Sequence, residues 1–165
     1  TKLRHPFIVN MEYAYQDKEN IFLVSNLMTG GTALPHWPED KVRRVIDQVH
    51  CRMSDNFTRV YPSKLHNPQD IKPENLVFDK NGYLKVTDFG IAKNYERENS
   101  SETSGTPSYM SPEVIFKQNH SYEADYYALG VICHELMLSK RPYKGRTRKE
   151  LKEQMLHKKI KLKQS

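Results

Sequence analysis

No apolar run in this sequence approaches the roughly 20 residues that a membrane-spanning helix needs. Nothing resembles a secretory signal either: the chain opens Thr1-Lys2-Leu3-Arg4, without an initiating Met. From that opening we expect a fragment or a partial gene product. Cysteine is scarce, two in 165 residues. Cys51 and Cys133 make no metal-type cluster, which points to reduced thiols in an intracellular, cytoplasmic protein. Zinc-finger spacing and an aromatic stacking platform are also missing, so the formal net charge of +6 does not imply a nucleic-acid partner. Much of that excess lies between Arg146 and Lys163, where Leu151, Met155, Ile160 and Leu162 interleave with lysines as on a solvated amphipathic helix. Repeats and low-complexity linkers are absent.

What is present suffices for one domain with a core: 37% of residues are hydrophobic and 28% charged. Phe7-Ile8-Val9 and Ile21-Phe22-Leu23-Val24 are apolar runs separated by Gln16-Asp17-Lys18-Glu19-Asn20, which reads as strand, turn, strand. Leu76-Val77-Phe78 and Tyr83-Leu84-Lys85-Val86 flank an Asn81-Gly82 pair, a strong hairpin signal. From Glu123 to Leu138 the sequence is apolar on nearly every side, as in a helix buried mid-domain, and Pro142 closes it off.

The informative stretch is Asp70-Ile71-Lys72-Pro73-Glu74-Asn75, followed after the hairpin by Asp88-Phe89-Gly90. Phosphoryl transfer needs a carboxylate to orient the attacking hydroxyl, a cation on the moving phosphate and oxygen ligands for Mg²⁺. D-x-K-x-x-N supplies all three within one short loop, and the second acid returns to the same metal site. At this spacing the two motifs resemble the catalytic loop and D-F-G motif of protein kinases.

That resemblance implies a role for each matching residue. Asp70 is similar to the catalytic acceptor of the substrate hydroxyl, and Lys72 to the phosphate-contacting lysine typical of serine/threonine kinases. Asn75 and Asp88 are similar to the Mg²⁺ ligands, and Val77 to the residue under the adenine ring. Gly105-Thr106-Pro107-Ser108-Tyr109-Met110-Ser111-Pro112-Glu113 resembles the end of the activation segment in the AGC group, the relatives of cyclic-AMP-dependent kinase. Thr106 would then hydrogen-bond the Asp70 and Lys72 pair. Asp125-Tyr126-Tyr127-Ala128-Leu129-Gly130 resembles a helix whose Asp anchors the catalytic-loop backbone, with Tyr127 where Trp is usual. Leu3 to Val9 resembles the turn after the regulatory helix, which makes Ser25 the gatekeeper and Asn26-Leu27-Met28 the adenine hinge. Glu102 stands where many AGC relatives carry a phosphorylated Thr.

Three departures accompany the likeness, which covers residues 1–31 and 70–157. The sequence has no Gly-rich loop, strand lysine or regulatory-helix Glu. It also lacks the Arg expected to pair with Glu113. Residues 32–69 do not follow the family pattern, and Pro68-Gln69 replaces His-Arg before Asp70. A reading-frame shift accounts for the third. Codons from Gly31 to His36 read one base later can encode Glu-Leu-Arg-Tyr-His-Ile, a normal continuation in this group. Asp47 to Cys51 can then encode Thr-Lys-Phe-Ile-Ala, and His66 to Pro68 Ile-Ile-His. Two compensating single-base shifts would restore the pattern. A divergent insert is the alternative, and Val42, Val45, Ile46, Val49 and Met53 do fall at helical spacing.

The resemblance thus implies an α+β, protein-kinase-like fold, with a mostly helical large lobe and the last strands of the small lobe. Residues 1–31 would end the small lobe and form the hinge, 32–69 would be the anomalous segment, and 70–165 would carry the catalytic loop, the activation segment and part of the large lobe. It implies a serine/threonine kinase using ATP and Mg²⁺ on a protein substrate, impaired in this chain. The rival readings are a pseudokinase-like binding module and a non-functional fragment. No oligomeric state follows from the sequence.

Overall fold

The computed structural model describes residues 6–32, 38–52, 70–87, 99–101, 104–121 and 123–160. The first hairpin pairs β1 (Met11–Gln16) with β2 (Ile21–Ser25), antiparallel, with Gln16 opposite Ile21 and Ala14 opposite Leu23. Its turn is built by Asp17, whose Oδ1 accepts from the amides of Glu19 (2.8 Å) and Asn20 (2.7 Å). Tyr15 and Phe22 stack across the strands with ring centroids 4.9 Å apart. The first strand therefore starts after Phe7-Ile8-Val9, not on it. That apolar triplet instead joins the second hairpin: Val9 N donates to Val86 O (2.9 Å) and Val86 N to Phe7 O (2.6 Å), and Ile8 is buried.

The second hairpin follows the turn chemistry of its sequence. β3 (Leu76–Phe78) pairs with β4 (Leu84–Val86), and Gly82 takes the positive φ of 80° that the turn needs. Asp79 Oδ1 accepts from the amides of Asn81 (2.8 Å) and Tyr83 (3.0 Å), so the turn is held by a side chain as well as by backbone.

Helix α1 (Glu39–Arg52) shows that the stretch with the anomalous pattern does coil at the spacing of its valines. Val42 and Val45 are 2% and 4% exposed, and Gln48 caps the hairpin by accepting from Leu84 N (2.9 Å). A short helix α2 (Pro112–Ile115) precedes α3 (Glu123–Leu138), which runs over the residues the sequence predicts. Helix α3 ends at Ser139, whose left-handed φ of 53° stops it three residues before Pro142. Helix α4 (Arg148–His157) is capped by the Thr147 hydroxyl, which accepts from Glu150 N. Leu151 is its one fully buried residue and its basic residues stay exposed, but the helix stops at His157, short of the expected Lys163: Ile160 lies beyond it and is exposed, and Leu162 is outside the described residues.

Two apolar clusters result. The larger joins Val42 and Val45 of α1, Leu76, Phe78 and Leu84 of the hairpin, and Leu129, Ile132 and Leu136 of α3. The smaller joins Met110, Val114 and Ile115 to Leu151 of α4. Tyr109 lies in the first and Met110 in the second, so two consecutive residues fix the chain just after Thr106 from both sides.

Candidate active site

The Asp70 loop is pinned at its middle and stiffened at its end. Ile71 is buried in the larger core, and Pro73 opens a 3₁₀ turn over Pro73–Asn75, where a missing amide proton costs nothing. Asn75 N donates to Lys72 O (3.0 Å), and Asn75 O accepts from Thr87 N (2.9 Å). The loop is thereby tied to the strand leaving the hairpin. Asp88, the next residue after Thr87, lies outside the described residues.

Four hydrogen bonds converge on the Asp70 carboxylate, whose side chain is 13% exposed. Thr106 gives two to Oδ1, from its amide and its hydroxyl, both at 2.8 Å. Lys72 Nζ reaches Oδ2 at 2.5 Å and Thr106 Oγ1 at 3.3 Å. Asn75 Nδ2 adds a long contact to Oδ2 (3.5 Å) and a good one to the Asp70 carbonyl (2.9 Å). Burial pushes the Asp70 carboxyl up, but hydrogen bonds from Lys72 and Thr106 and the lysine's charge outweigh it, leaving it below the usual carboxylate range. The group is an anion at neutral pH, poised to accept a hydrogen bond.

Both contacts of Asn75 with Asp70 use Nδ2 of its carboxamide. The residue is buried, at 6% exposure, and its carboxamide oxygen is of the hard kind that Mg²⁺ prefers. Among the described residues no three His, Cys, Asp or Glu side chains gather as a metal site.

The likeness seen in the motifs extends to the whole sequence. The family model for the protein kinase domain matches residues 1–165. This chain belongs to the protein kinase domain family. It is 30% identical over 99% of its length to a cAMP-dependent protein kinase, catalytic subunit-like, from Caenorhabditis briggsae, covering 43% of that protein. It is 31% identical over 99% of its length to the serine/threonine-protein kinase AtPK1/AtPK6 of Arabidopsis thaliana, covering 36% of it. It is 29% identical over 97% of its length to the serine/threonine-protein kinase sgk-1 of Caenorhabditis elegans, covering 35% of it. The relatives are AGC-like serine/threonine kinases, and the chain spans less than half the length of each of these three.

The residues that the motif likeness assigns to the hinge lie at the end of the first hairpin. Ser25 closes β2 opposite Met11, and Asn26 is held by its amide on Asn10 O (3.2 Å) and its Nδ2 on Glu12 Oε1 (3.0 Å). Past half-buried Met28 the chain runs against β3: Gly30 N donates to Phe78 O (2.9 Å), Phe78 N to Gly31 O (2.9 Å), and Thr32 bridges Val77. A Cβ on Gly30 would lie 2.5 Å from the Phe78 Cβ, so only glycine allows this approach. The structure thus brings Val77 beside the chain that follows Met28, and groups Asp70, Lys72, Asn75 and Thr106 as a second set. Glu102 lies outside the described residues. No helix among the described residues is long and apolar enough to cross a membrane.

Glu135 and Arg141 escape sequence reasoning. Tyr109 Oη donates to Glu135 Oε2 (2.6 Å), and Arg141 approaches the same carboxylate at 3.6 Å while lying 6.0 Å over the tyrosine ring. Burial, then the Glu135 hydrogen bond, pushes the Tyr109 phenol up, so it stays protonated and donating. Together these contacts bolt the chain at Tyr109 onto α3. Asp125 is buried at 3% exposure and shares a cavity of about 30 Å³ with Asp70 and Thr106. Tyr127 buries a hydroxyl with no hydrogen-bond partner among the described residues, and burial, with Tyr143 and Glu113 nearby, pushes it up to about 12. Tyr109, Asp125 and Tyr127 fall in motifs that the sequence singles out, whereas the only signal for Glu135 is that it is a polar residue inside an apolar pattern.

Proposed function

We propose that the protein is a serine/threonine protein kinase that moves the γ-phosphoryl group of ATP to a Ser or Thr hydroxyl of a protein substrate. The observation that supports this reading is the Asp70 carboxylate, ionised and held by Lys72 and Asn75 of its own loop and by Thr106 from 36 residues away. In the transfer, the substrate oxygen bonds to the γ-phosphorus, the bond to the β-phosphate oxygen breaks, and ADP leaves. Asp70 accepts the hydrogen bond of the attacking hydroxyl and receives its proton, while Lys72, one contact away, neutralises the moving phosphate. Thr106 holds the acceptor oxygen at a fixed angle, so little reorganisation is needed on reaction. Mg²⁺, when bound, shields the phosphate charges; Asn75 would hold it together with Asp88. Ser25, Asn26, Met28 and Val77 would line the adenine end, and a cytoplasmic setting fits the unpaired Cys133 thiol.

The test is phosphate transfer by the full-length protein to a Ser/Thr peptide library with Mg²⁺ and ATP. Transfer that Asp70→Asn abolishes, with nucleotide binding retained, is the expected result. Binding of ATP without transfer in the unsubstituted protein would favour the pseudokinase-like binding module instead.

A further inference from the structure

A second anchor of the activation segment lies away from Asp70. Asn99 is 1% exposed although it falls in a run of polar residues. Its carboxamide pairs with both backbone groups of one residue: Nδ2 donates to His120 O (2.8 Å) and Oδ1 accepts from His120 N (3.0 Å). Its own amide donates to Asn119 Oδ1 (2.9 Å). The pairing copies a two-bond backbone bridge with a side chain. It needs a donor and an acceptor side by side, which carboxamides have and carboxylates and hydroxyls lack. A carboxamide buried this deeply is costly unless both ends are satisfied, and both are. The clasp fastens residues 99–101 to the loop that follows α2.

The clasp touches the acceptor site from below. His120, Thr106, Asp70 and Asp125 line one cavity, of about 30 Å³. Lys117, at the start of the clasped loop, takes a left-handed φ of 57°, and its amide donates to Val114 O (3.2 Å), so the loop is itself held to α2. The segment carrying Thr106 is therefore fixed downstream by Tyr109 and Met110 and upstream by Asn99.

We propose that Asn99 is a positioning residue: by clasping His120 it keeps Thr106 on Asp70. The consequence for turnover rests on the kinase reading above; the consequence for the Thr106–Asp70 contact does not.

The experiment is amide hydrogen exchange in the full-length protein, read at three places. In Asn99→Ala the Thr106 amide, which donates to Asp70, should exchange about tenfold faster, while the α3 amides of Leu129 and Ile132 keep their rates. Asn99→Asp, which keeps the acceptor and loses the donor, should move Thr106 in the same direction. Faster exchange confined to His120 would overturn the proposal, since the clasp would then be local. Equal acceleration of Thr106 and α3 would overturn it too, since Asn99 would then serve only general stability. Asn119→Ala, which leaves the buried carboxamide in place, carries the same three readings if Asn99→Ala does not fold. In peptide phosphorylation, Asn99→Ala should lower kcat about tenfold with KM for ATP unchanged. An unchanged kcat beside a freed Thr106 amide also overturns the positioning role. If the unsubstituted protein transfers no phosphate, the kinase reading fails and the exchange data still decide the clasp.

Discussion

Replacing Thr106 with valine keeps the branching of the side chain and removes its hydroxyl. Two contacts disappear: donation to Asp70 Oδ1 at 2.8 Å and acceptance from Lys72 Nζ at 3.3 Å. The backbone amide at 106 still reaches Asp70 at 2.8 Å, so the segment stays in place while one charge-assisted bond is lost. Such a bond contributes about 1.5–3 kcal/mol. Asp70 is only 13% exposed, so water replaces the hydroxyl poorly. If that stabilisation is carried into the barrier, kcat falls about 10- to 150-fold. Thr106→Ser keeps the oxygen and should stay within about threefold. The measurement is steady-state peptide phosphorylation by the full-length protein with ATP varied, and KM for ATP should hold. The pH profile gives an independent reading. Asp70's carboxyl is held below its ordinary range in the folded protein, so its contacts contribute above that range and are lost as pH falls through the depressed value. Without the hydroxyl the carboxyl should move up, shifting the acid limb to higher pH. A Thr106→Val enzyme within about twofold of the unsubstituted one, or a Thr106→Ser enzyme equally impaired, would refute the reasoning.

Further outcomes follow from other parts of the chain. We propose that residues 32–69 reflect compensating frame shifts; the coding DNA across codons 29 to 71, translated one base later, should give Leu-Arg-Tyr-His and end in His-Arg, and stop codons in that frame would dispose of the idea. The 165-residue chain assayed by itself should transfer no measurable phosphate, because it holds the acceptor loop but no glycine-rich loop to position the phosphates; transfer lost in Asp70→Asn would contradict this. Val45→Ala should lower the unfolding free energy by about 2 kcal/mol, read from the urea midpoint, since Val45 is 4% exposed in the larger cluster; no shift would mean that α1 does not share the core.

Sequence and structure agree where the signal is local. Asn81-Gly82 demands a turn by its own chemistry, and the apolar run from Glu123 to Leu138 can only bury itself as a central helix. The spacing of Val42, Val45 and Ile46 likewise forecasts α1. Asp70, Lys72 and Asn75 are legible because one short loop carries them, and Thr106 because a longer motif surrounds it. Agreement fails where a residue's partner is far along the chain. Phe7-Ile8-Val9 has the same apolar character whether it pairs in its own hairpin or bridges Val86, and periodicity does not choose. Nothing local marks Asn99 as buried, since its partner His120 is 21 residues away. Glu135 looks like the polar edge of α3 until Tyr109 and Arg141 are brought to it by folding. Ser139 ends that helix in a left-handed conformation, for which serine gives no warning.

The separation of Asp70 from Thr106 along the chain also orders the events of folding. Their hydrogen bonds close a loop of 36 residues, whereas β3 and β4 meet across Phe78 and Leu84 through a tight turn. Closing the longer loop costs about 1.6 kcal/mol more in chain entropy on the simple logarithmic scaling. The hairpin, the Asp17 turn and the helices can form from near neighbours, so they provide the surface on which Thr106 later lands. The Asp70 carboxylate and the Thr106 that donates to it are then separate pieces until that loop closes. A chain of this design can keep its core intact while the Asp70–Thr106 contact is dismantled, so loss of that contact need not register in a melting curve at all.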